Sequence, residues 1–249
     1  MQRVLSRPSV EEASTRLDRC SPIEIVEWTL SHPSLERIAV ASAFQAEGTA
    51  LIDMVYRIRP GVPILFVNTG FHFAETLAFV RTLTDLLRLN VIEVVPPSTV
   101  DESRAREGRL YERDPDQCCE LNKVSPFREA LSNYDAWMTS MRRDSAWTRA
   151  NVPVVSRTRV GESTLVKINP MANWSRADVW RYLSDRDLPH HPLYDLGYPS
   201  IGCAPCTRAV APGEDERSGR WSGLVKTECG IHVAGFGRTV SAEPGGLDR

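Results

Sequence analysis

The chain has 249 residues, room for one sizeable α/β domain with an appended segment. Its 30 Lys and Arg against 32 Asp and Glu leave a net charge of −2, which argues against broad nucleic-acid binding and makes any anion site a local one. The first residues lack the apolar core of a signal peptide, and no apolar run nears the about 20 residues of a membrane span, so a cytoplasmic protein with no membrane partner is expected.

Ile23, Val26 and Leu30 fall at helical spacing behind Pro22 and predict a helix over 22–31. From Arg37 to Gly48 an apolar run breaks into small residues, and 49–58 follows with a helical pattern, so this stretch reads strand, loop, helix. The same unit recurs as a strand over 62–68, a turn at Thr69-Gly-Phe-His72, a helix over 74–89 and a third strand over 90–95. Residues 101–114 hold five acids and four arginines and predict a solvated helix or loop. A helix over 124–131, strands over 135–140, 152–160 and 165–168, and a helix over 175–184 complete the series; Ser175 with an acid three residues on nearly matches a capping box.

Strands alternating with helices imply a Rossmann-like, doubly wound, mostly parallel sheet, with ligands at the carboxyl ends of the strands. The loops at 42–48 and 68–73 are the first candidates for a substrate site. After Cys206 the chain turns polar and Gly- and Pro-containing, which predicts a mobile tail. The expected division is a nucleotide-binding domain over 1–207 and a tail over 208–249, acting as one unit.

Six cysteines in a cytoplasmic chain point away from a disulfide framework and toward metal or redox chemistry. Cys118 and Cys119 are adjacent and Cys203 and Cys206 form a Cys-x-x-Cys, a quartet suited to one inorganic centre. Zinc is the ordinary occupant of four cysteines. Adjacent side chains diverge, however, and a four-iron cluster, which offers each thiolate its own iron, accommodates that more easily. Spacing favours iron–sulfur and leaves zinc open. Cys229 lies outside the quartet, as a reactive nucleophile or an idle exposed thiol; Cys20 has no companion motif.

The segment Leu110-Tyr-Glu-Arg-Asp-Pro-Asp-Gln-Cys-Cys-Glu-Leu-Asn-Lys123 closely resembles the cluster-binding segment of assimilatory adenylyl-sulfate (APS) reductases, of the PAPS/APS reductase family. Ile201-Gly-Cys-Ala-Pro-Cys-Thr207, Pro212 to Trp221 and Lys226-Thr-Glu-Cys-Gly-Ile-His232 resemble three further motifs of that family, in the same order. The resemblance implies an adenine-nucleotide alpha-hydrolase-like α/β fold and a [4Fe-4S] cluster held by Cys118, Cys119, Cys203 and Cys206. It also implies a catalytic Cys229, which attacks the sulfuryl sulfur of APS, releases AMP and leaves an S-sulfocysteine. Thioredoxin or a glutaredoxin-like dithiol then frees sulfite. His232 would be a proton acceptor, and a homo-oligomer is compatible with the sequence.

Basic substrate contacts are expected from Lys123, Arg142, Arg149, Arg217 and Arg220, with Arg143 as a surface charge paired to Asp144. Ser42 in Ala41-Ser-Ala-Phe-Gln-Ala-Glu-Gly48 resembles the family's phosphate loop, and Thr69 and Gly70 its nucleoside turn, where Asn68 stands for the usual Asp. The loop lacks the Ser-Gly-Gly-x-Asp-Ser of related ATP pyrophosphatases, against an ATP-cleaving, tRNA-thiolating enzyme of the same fold. A reductase of the 3′-phosphorylated substrate PAPS is the nearer alternative, although that branch typically lacks the cluster cysteines. Trp221-Ser-Gly-Leu-Val departs from the family's tryptophan run after Gly-Arg-Trp.

Overall fold

The computed structural model of the chain describes residues 7–224 and 226–231. Six strands form one sheet: β1 (Ile38–Ala41), β2 (Ile64–Val67), β3 (Val91–Val94), β4 (Ala136–Thr139), β5 (Val155–Val160) and β6 (Ser163–Ile168), in the order β3-β2-β1-β4-β6-β5. All neighbours are parallel except β5, which turns back on β6 as an edge hairpin.

The central strands read Ile-Ala-Val-Ala, Ile-Leu-Phe-Val and Ala-Trp-Met-Thr because both faces of the sheet are covered. Alternate residues divide between two cores: Ile38, Val40, Ile64, Phe66, Ala136 and Met138 face one, and Ala39, Leu65 and Trp137 the other. Helices α1 (Arg7–Leu17), α2 (Pro22–Ser31), α3 (Ala46–Ile58), α4 (Ala74–Leu87) and α9 (Arg176–Asp185) contribute to the first core. The second is closed by α8 (Ser125–Leu131) through Phe127 and Leu131. Between them in the chain lie α5 (Val100–Glu107), α6 (Leu110–Arg113) and α7 (Pro115–Cys119).

Both helices read from N-terminal signals begin with full capping boxes, Ser21 with Glu24 and Ser175 with Asp178. Helix α3 begins three residues before the expected Thr49, because Ala46 is buried and the turn starts there; its backbone N–H donates to the Tyr194 hydroxyl at 3.0 Å. Helix α1 had no counterpart in the sequence reading. Its stripe of Val10, Ala13 and Leu17 is buried, and the Ser14 hydroxyl accepts from Val155 N–H on the edge strand at 3.2 Å.

The order 2-1-4 in the sheet puts the switch point between β1 and β4, where successive connections leave in opposite directions. The loops after both strands open at that end.

Candidate active site

A cleft enclosing about 1260 Å³ of empty space, counted to its open mouth, lies over the carboxyl ends of β1, β2 and β4. Its floor is the 41–48 loop and helix start together with Thr139 to Arg142. The loop after β1 holds its shape through local bonds: the Ser42 hydroxyl accepts from Phe44 N–H at 3.0 Å, and Phe44 is buried with φ of 55°, a strained left-handed conformation for an aromatic residue. The Gln45 side chain accepts from Ile201 N–H at 2.9 Å, tying this loop to the segment that carries Cys203.

The Cys118-Cys119 pair stands at the end of α7, whose Asp114 cap accepts from Gln117 N–H at 2.9 Å. From there the helix continues through a π-helical turn, Glu120–Val124, into α8. Pro126 explains the turn: it has no N–H to offer the carbonyl four residues back, and a wider turn relieves its ring from that carbonyl. The rod thereby carries two thiols and Lys123 in six residues.

Cys118, Cys119, Cys203 and Cys206 ring one cavity with Thr69, Phe71, Tyr111, Asn122 and Lys123. The Thr69 hydroxyl lies 3.3 Å from Cys203 Sγ, and the Asn122 amide donates to Cys118 Sγ at 3.7 Å. Burial, with their like-charged neighbours, pushes the Cys118 and Cys206 thiols up to about 11. Cys119 is driven to about 11 by burial as well, against the pull of Lys123. Thiols buried in this way ionise together only with a positive centre among them. Among the described residues no group of three or more His, Cys, Asp or Glu is gathered closely enough for a single metal ion.

The segment after Cys206 is docked rather than free where it is described. Gly202 allows the Arg220 guanidinium against the backbone, since a Cβ there would lie 2.3 Å from Nη2. Arg220 stacks 4.5 Å from the ring of Trp221, which is 3% exposed; Lys226 and Arg217 approach the same ring at 5.5 and 5.8 Å. Lys226 also pairs with Asp116 on α7. Next to Cys229, the Glu228 carboxylate takes a bidentate pair from Arg149, both contacts at 2.8 Å, plus the Thr148 hydroxyl at 2.8 Å and Arg217 at 3.5 Å. Burial would raise the Glu228 pKa, but the arginine bonds outweigh it and hold it low. Gly230 then passes so close to the π-helical turn that a Cβ would meet Val124 at 2.7 Å, and Ile231 packs on the second core.

This path brings Cys229 into the cleft wall beside Lys123, Arg217 and Arg220. Burial alone would raise its pKa; Lys123, the Ile231 N–H, Arg220 and Lys226 together draw it below the ordinary thiol value. Burial likewise opposes the charge of Lys123, and the surrounding thiols more than restore it. Lys123 lines both the thiol cavity and the cleft, and so faces both kinds of cysteine.

The model of the phosphoadenosine phosphosulfate reductase domain matches residues 37–209. The chain belongs to the phosphoadenosine phosphosulfate reductase family. Among curated relatives of this reductase-family chain, adenosine 5′-phosphosulfate reductase 1 of Bacillus subtilis (strain 168) is 42% identical over 212 residues, 84% of this chain and 90% of that one. Adenosine 5′-phosphosulfate reductase of Mycolicibacterium smegmatis is 43% identical over 229 residues, 92% and 95% of the two chains. The crystal structure of phosphoadenylyl-sulfate (PAPS) reductase from Candida auris, in a phosphate complex, superposes with a TM-score of 0.74 at 27% identity, covering 84% of this chain and 100% of that one. Candida glabrata FMN adenylyltransferase, at a TM-score of 0.57 and 14% identity, shares the fold alone.

Within this reductase fold, Ser42, Lys123, Arg142, Arg149, Arg217, Arg220 and Cys229 line the cleft. Thr69 and Gly70, expected at the substrate, do not: Thr69 is buried against Cys203, and Gly70, with φ of 75°, turns the chain away beneath Val100. Arg142 lines the cleft, but its fully buried guanidinium is tied to Glu47 at 3.0 Å, to Asp144 and to Glu216 at 3.5 Å. Asp144 thus belongs to Arg142, and Arg143 pairs instead with Asp18 at 2.7 Å. His232 lies outside the described residues.

Glu47, His72 and Glu216 also line the cleft; they fall in the two candidate loops and in the Pro212–Trp221 motif, but none of the three was singled out as a site residue. His72 Nε2 lies 2.9 Å from the Val67 carbonyl, and burial holds its pKa down at about 4, so it is a neutral imidazole at physiological pH. Lys167 on β6 is 8% exposed, its ammonium without a hydrogen bond or ion pair among the described residues; burial and Arg149 lower it to about 8, against the attraction of Glu228 and Cys229.

Proposed function

We propose that this chain reduces adenosine 5′-phosphosulfate to sulfite and AMP in sulfate assimilation, with Cys229 as the catalytic nucleophile. The observation that carries this reading is the environment of Cys229: a thiol whose ionised form is favoured, in the wall of the cleft over the strand ends, beside Lys123, Arg217 and Arg220. Relatives named adenosine 5′-phosphosulfate reductase over nine-tenths of the chain support the same substrate.

In the first step the Cys229 thiolate attacks the sulfuryl sulfur. The bond from that sulfur to the bridging oxygen breaks, and AMP leaves with the electron pair. Lys123, Arg217 and Arg220 face the charge that gathers on the leaving phosphate and on the sulfuryl oxygens. The enzyme is left with an S-sulfocysteine. A thiolate of a protein dithiol, of the thioredoxin or glutaredoxin kind, then attacks Cys229 Sγ, and sulfite departs with the electron pair of the S–S bond. The second thiol of the dithiol resolves the mixed disulfide and returns Cys229 as thiolate, so the dithiol supplies the two electrons. Access for that partner requires the docked 226–231 segment to lift, which makes the Glu228–Arg149 clamp the contact to be released.

The four cavity thiols suit a [4Fe-4S] cluster, which gives each thiolate a separate iron and so accommodates the diverging side chains of the adjacent Cys118 and Cys119. Cys118, Cys119, Cys203 and Cys206 would hold it, and it would supply a fixed charge centre beside Lys123 and a tie between α7 and the base of the tail. Lys123 does the rest from this chain's own side, its ammonium held charged between the thiol cavity and the cleft.

The test is sulfite and AMP release from APS and from its 3′-phosphorylated form, with a protein dithiol as reductant. Faster turnover of the 3′-phosphorylated form, the substrate in the names of the family and of the Candida auris structure, would overturn the choice of APS.

A further inference from the structure

The charged side chains of the cleft and those paired or directed to them separate into two groups that no ion pair among the described residues connects. Around Cys229 stand Lys123, Arg149, Arg217, Arg220 and Lys226, with Glu228 and Asp116 as the carboxylates paired to them. Over the switch point stand Arg142 and Arg176, facing three carboxylates: Glu47, Asp144 and Glu216. Cations outnumber acids five to two at the first end, and acids outnumber cations three to two at the second.

A phosphosulfate must place its sulfur at Cys229, so both of its negative groups fall at the cationic end. The nucleoside then extends toward the switch point, the place where such sheets receive nucleosides. There Glu47 and Glu216 line the cleft. Arg142 lies between them, its buried Nη2 3.0 Å from Glu47 Oε1 and 3.5 Å from Glu216 Oε1 without an aligned hydrogen bond to either. Two carboxylate acceptors held by a guanidinium whose Nη2 makes no aligned hydrogen bond suit a hydroxyl group, which both donates and accepts. The same carboxylates repel a phosphate.

We infer that Glu47 and Glu216 form a specificity filter that accepts a free ribose 3′-hydroxyl and rejects a 3′-phosphate. The inference rests on the proposed reductase reading and deepens it, since it assigns the choice between the two sulfonucleotides to two named side chains. The acceptor role favours the hydroxyl, and the juxtaposed like charges disfavour the phosphate, so selection works from both directions.

The experiment compares wild type with Glu47→Gln and Glu216→Gln, using the full chain with its metal centre. The readouts are kcat/KM for APS and for PAPS, and the dissociation constants of AMP and adenosine 3′,5′-bisphosphate. Each variant is expected to raise the PAPS-to-APS ratio, and the bisphosphate-to-AMP affinity ratio, by about 10-fold or more. Glu47→Asp and Glu216→Asp keep the charge and are expected to stay near the wild-type ratios, which separates a charge effect from a disturbed Arg142. Unchanged ratios in the Gln variants would overturn the filter. A wild type that binds AMP over the bisphosphate but forms no sulfite from APS would instead overturn the reductase reading and leave the filter standing.

Discussion

The thiol cavity and the cleft adjoin at Lys123, yet they treat cysteine in opposite ways. In the cavity, burial and the crowding of like groups raise Cys118, Cys119 and Cys206 to about 11; across the lysine, Cys229 is drawn below the ordinary thiol value although burial opposes it. The difference lies in company. Lys226 also acts on Cys119 and Arg220 on Cys206, but there burial and the neighbouring thiols outweigh them, whereas at Cys229 Lys123, the Ile231 N–H, Arg220 and Lys226 together outweigh burial. A set of mutually repelling thiols is suited to a metal centre, and a thiol around which cations prevail to nucleophilic attack, which is the division of roles proposed above.

Removing the nucleophile should give the largest effect. Cys229→Ser is expected to lower sulfite release from APS by about 10³-fold or more, measured in single-turnover assays. If activity survived, one of the cavity thiols would have to be the reacting group, and the contrast would collapse.

Next in size is the clamp. Arg149 and Glu228 are 13% and 9% exposed, so Arg149→Ala leaves a nearly buried carboxylate with only the Thr148 hydroxyl and the more distant Arg217, and should cost about 10²-fold in kcat/KM. The double variant Arg149→Ala, Glu228→Ala should lose less than the product of the single losses, and proteolysis of the tail should report the same order. Independent, multiplying losses would mean that the pair does not hold the tail.

Lys123→Met sharpens the comparison at its hinge. The lysine is the foremost group lowering the Cys229 pKa, so the midpoint of Cys229 alkylation by iodoacetamide should move to higher pH in the variant. An unmoved midpoint would assign the thiolate to Arg220 and Lys226.

The smallest expected effect concerns Lys167, beneath the clamp. Its folded pKa of about 8 lies below the ordinary 10.5, so between these values the unfolded chain binds the proton that the folded chain has released, and stability rises with pH across that window. Lys167→Met removes the penalty of burying the ammonium and should stabilise the protein at neutral pH by up to about 3 kcal/mol. Thermal melts should show that gain shrinking above pH 8 and vanishing near 10.5.

Much of this arrangement was legible in the residues. Central strands buried on both faces leave unbroken apolar runs, and Ser175 with Asp178 announces a helix start, so the sheet and α9 could be read within a few residues. Spacing marked the paired cysteines as candidate ligands, whereas Cys229 was singled out by the resemblance of its Glu-Cys-Gly-Ile-His segment. What escaped was set by partners remote in sequence. Arg149 finds Glu228 across 79 positions and Arg142 finds Glu47 across 95, and no periodicity records such pairings. Thr69 looked like a nucleoside contact in its turn, but the placement of Cys203 beside it assigns it to the cavity. Helix α1 was hidden because its apolar stripe is three small or medium residues among charged ones.

The most direct test of the division of labour is to incubate the metal-loaded protein with APS and no reductant, then locate any covalent adduct by mass spectrometry of its peptides. The account predicts one SO₃ group per chain, on the peptide containing Cys229, released as sulfite when a protein dithiol is added. An adduct on Cys118, Cys119, Cys203 or Cys206, or sulfite formed with Cys229 never modified, would contradict it.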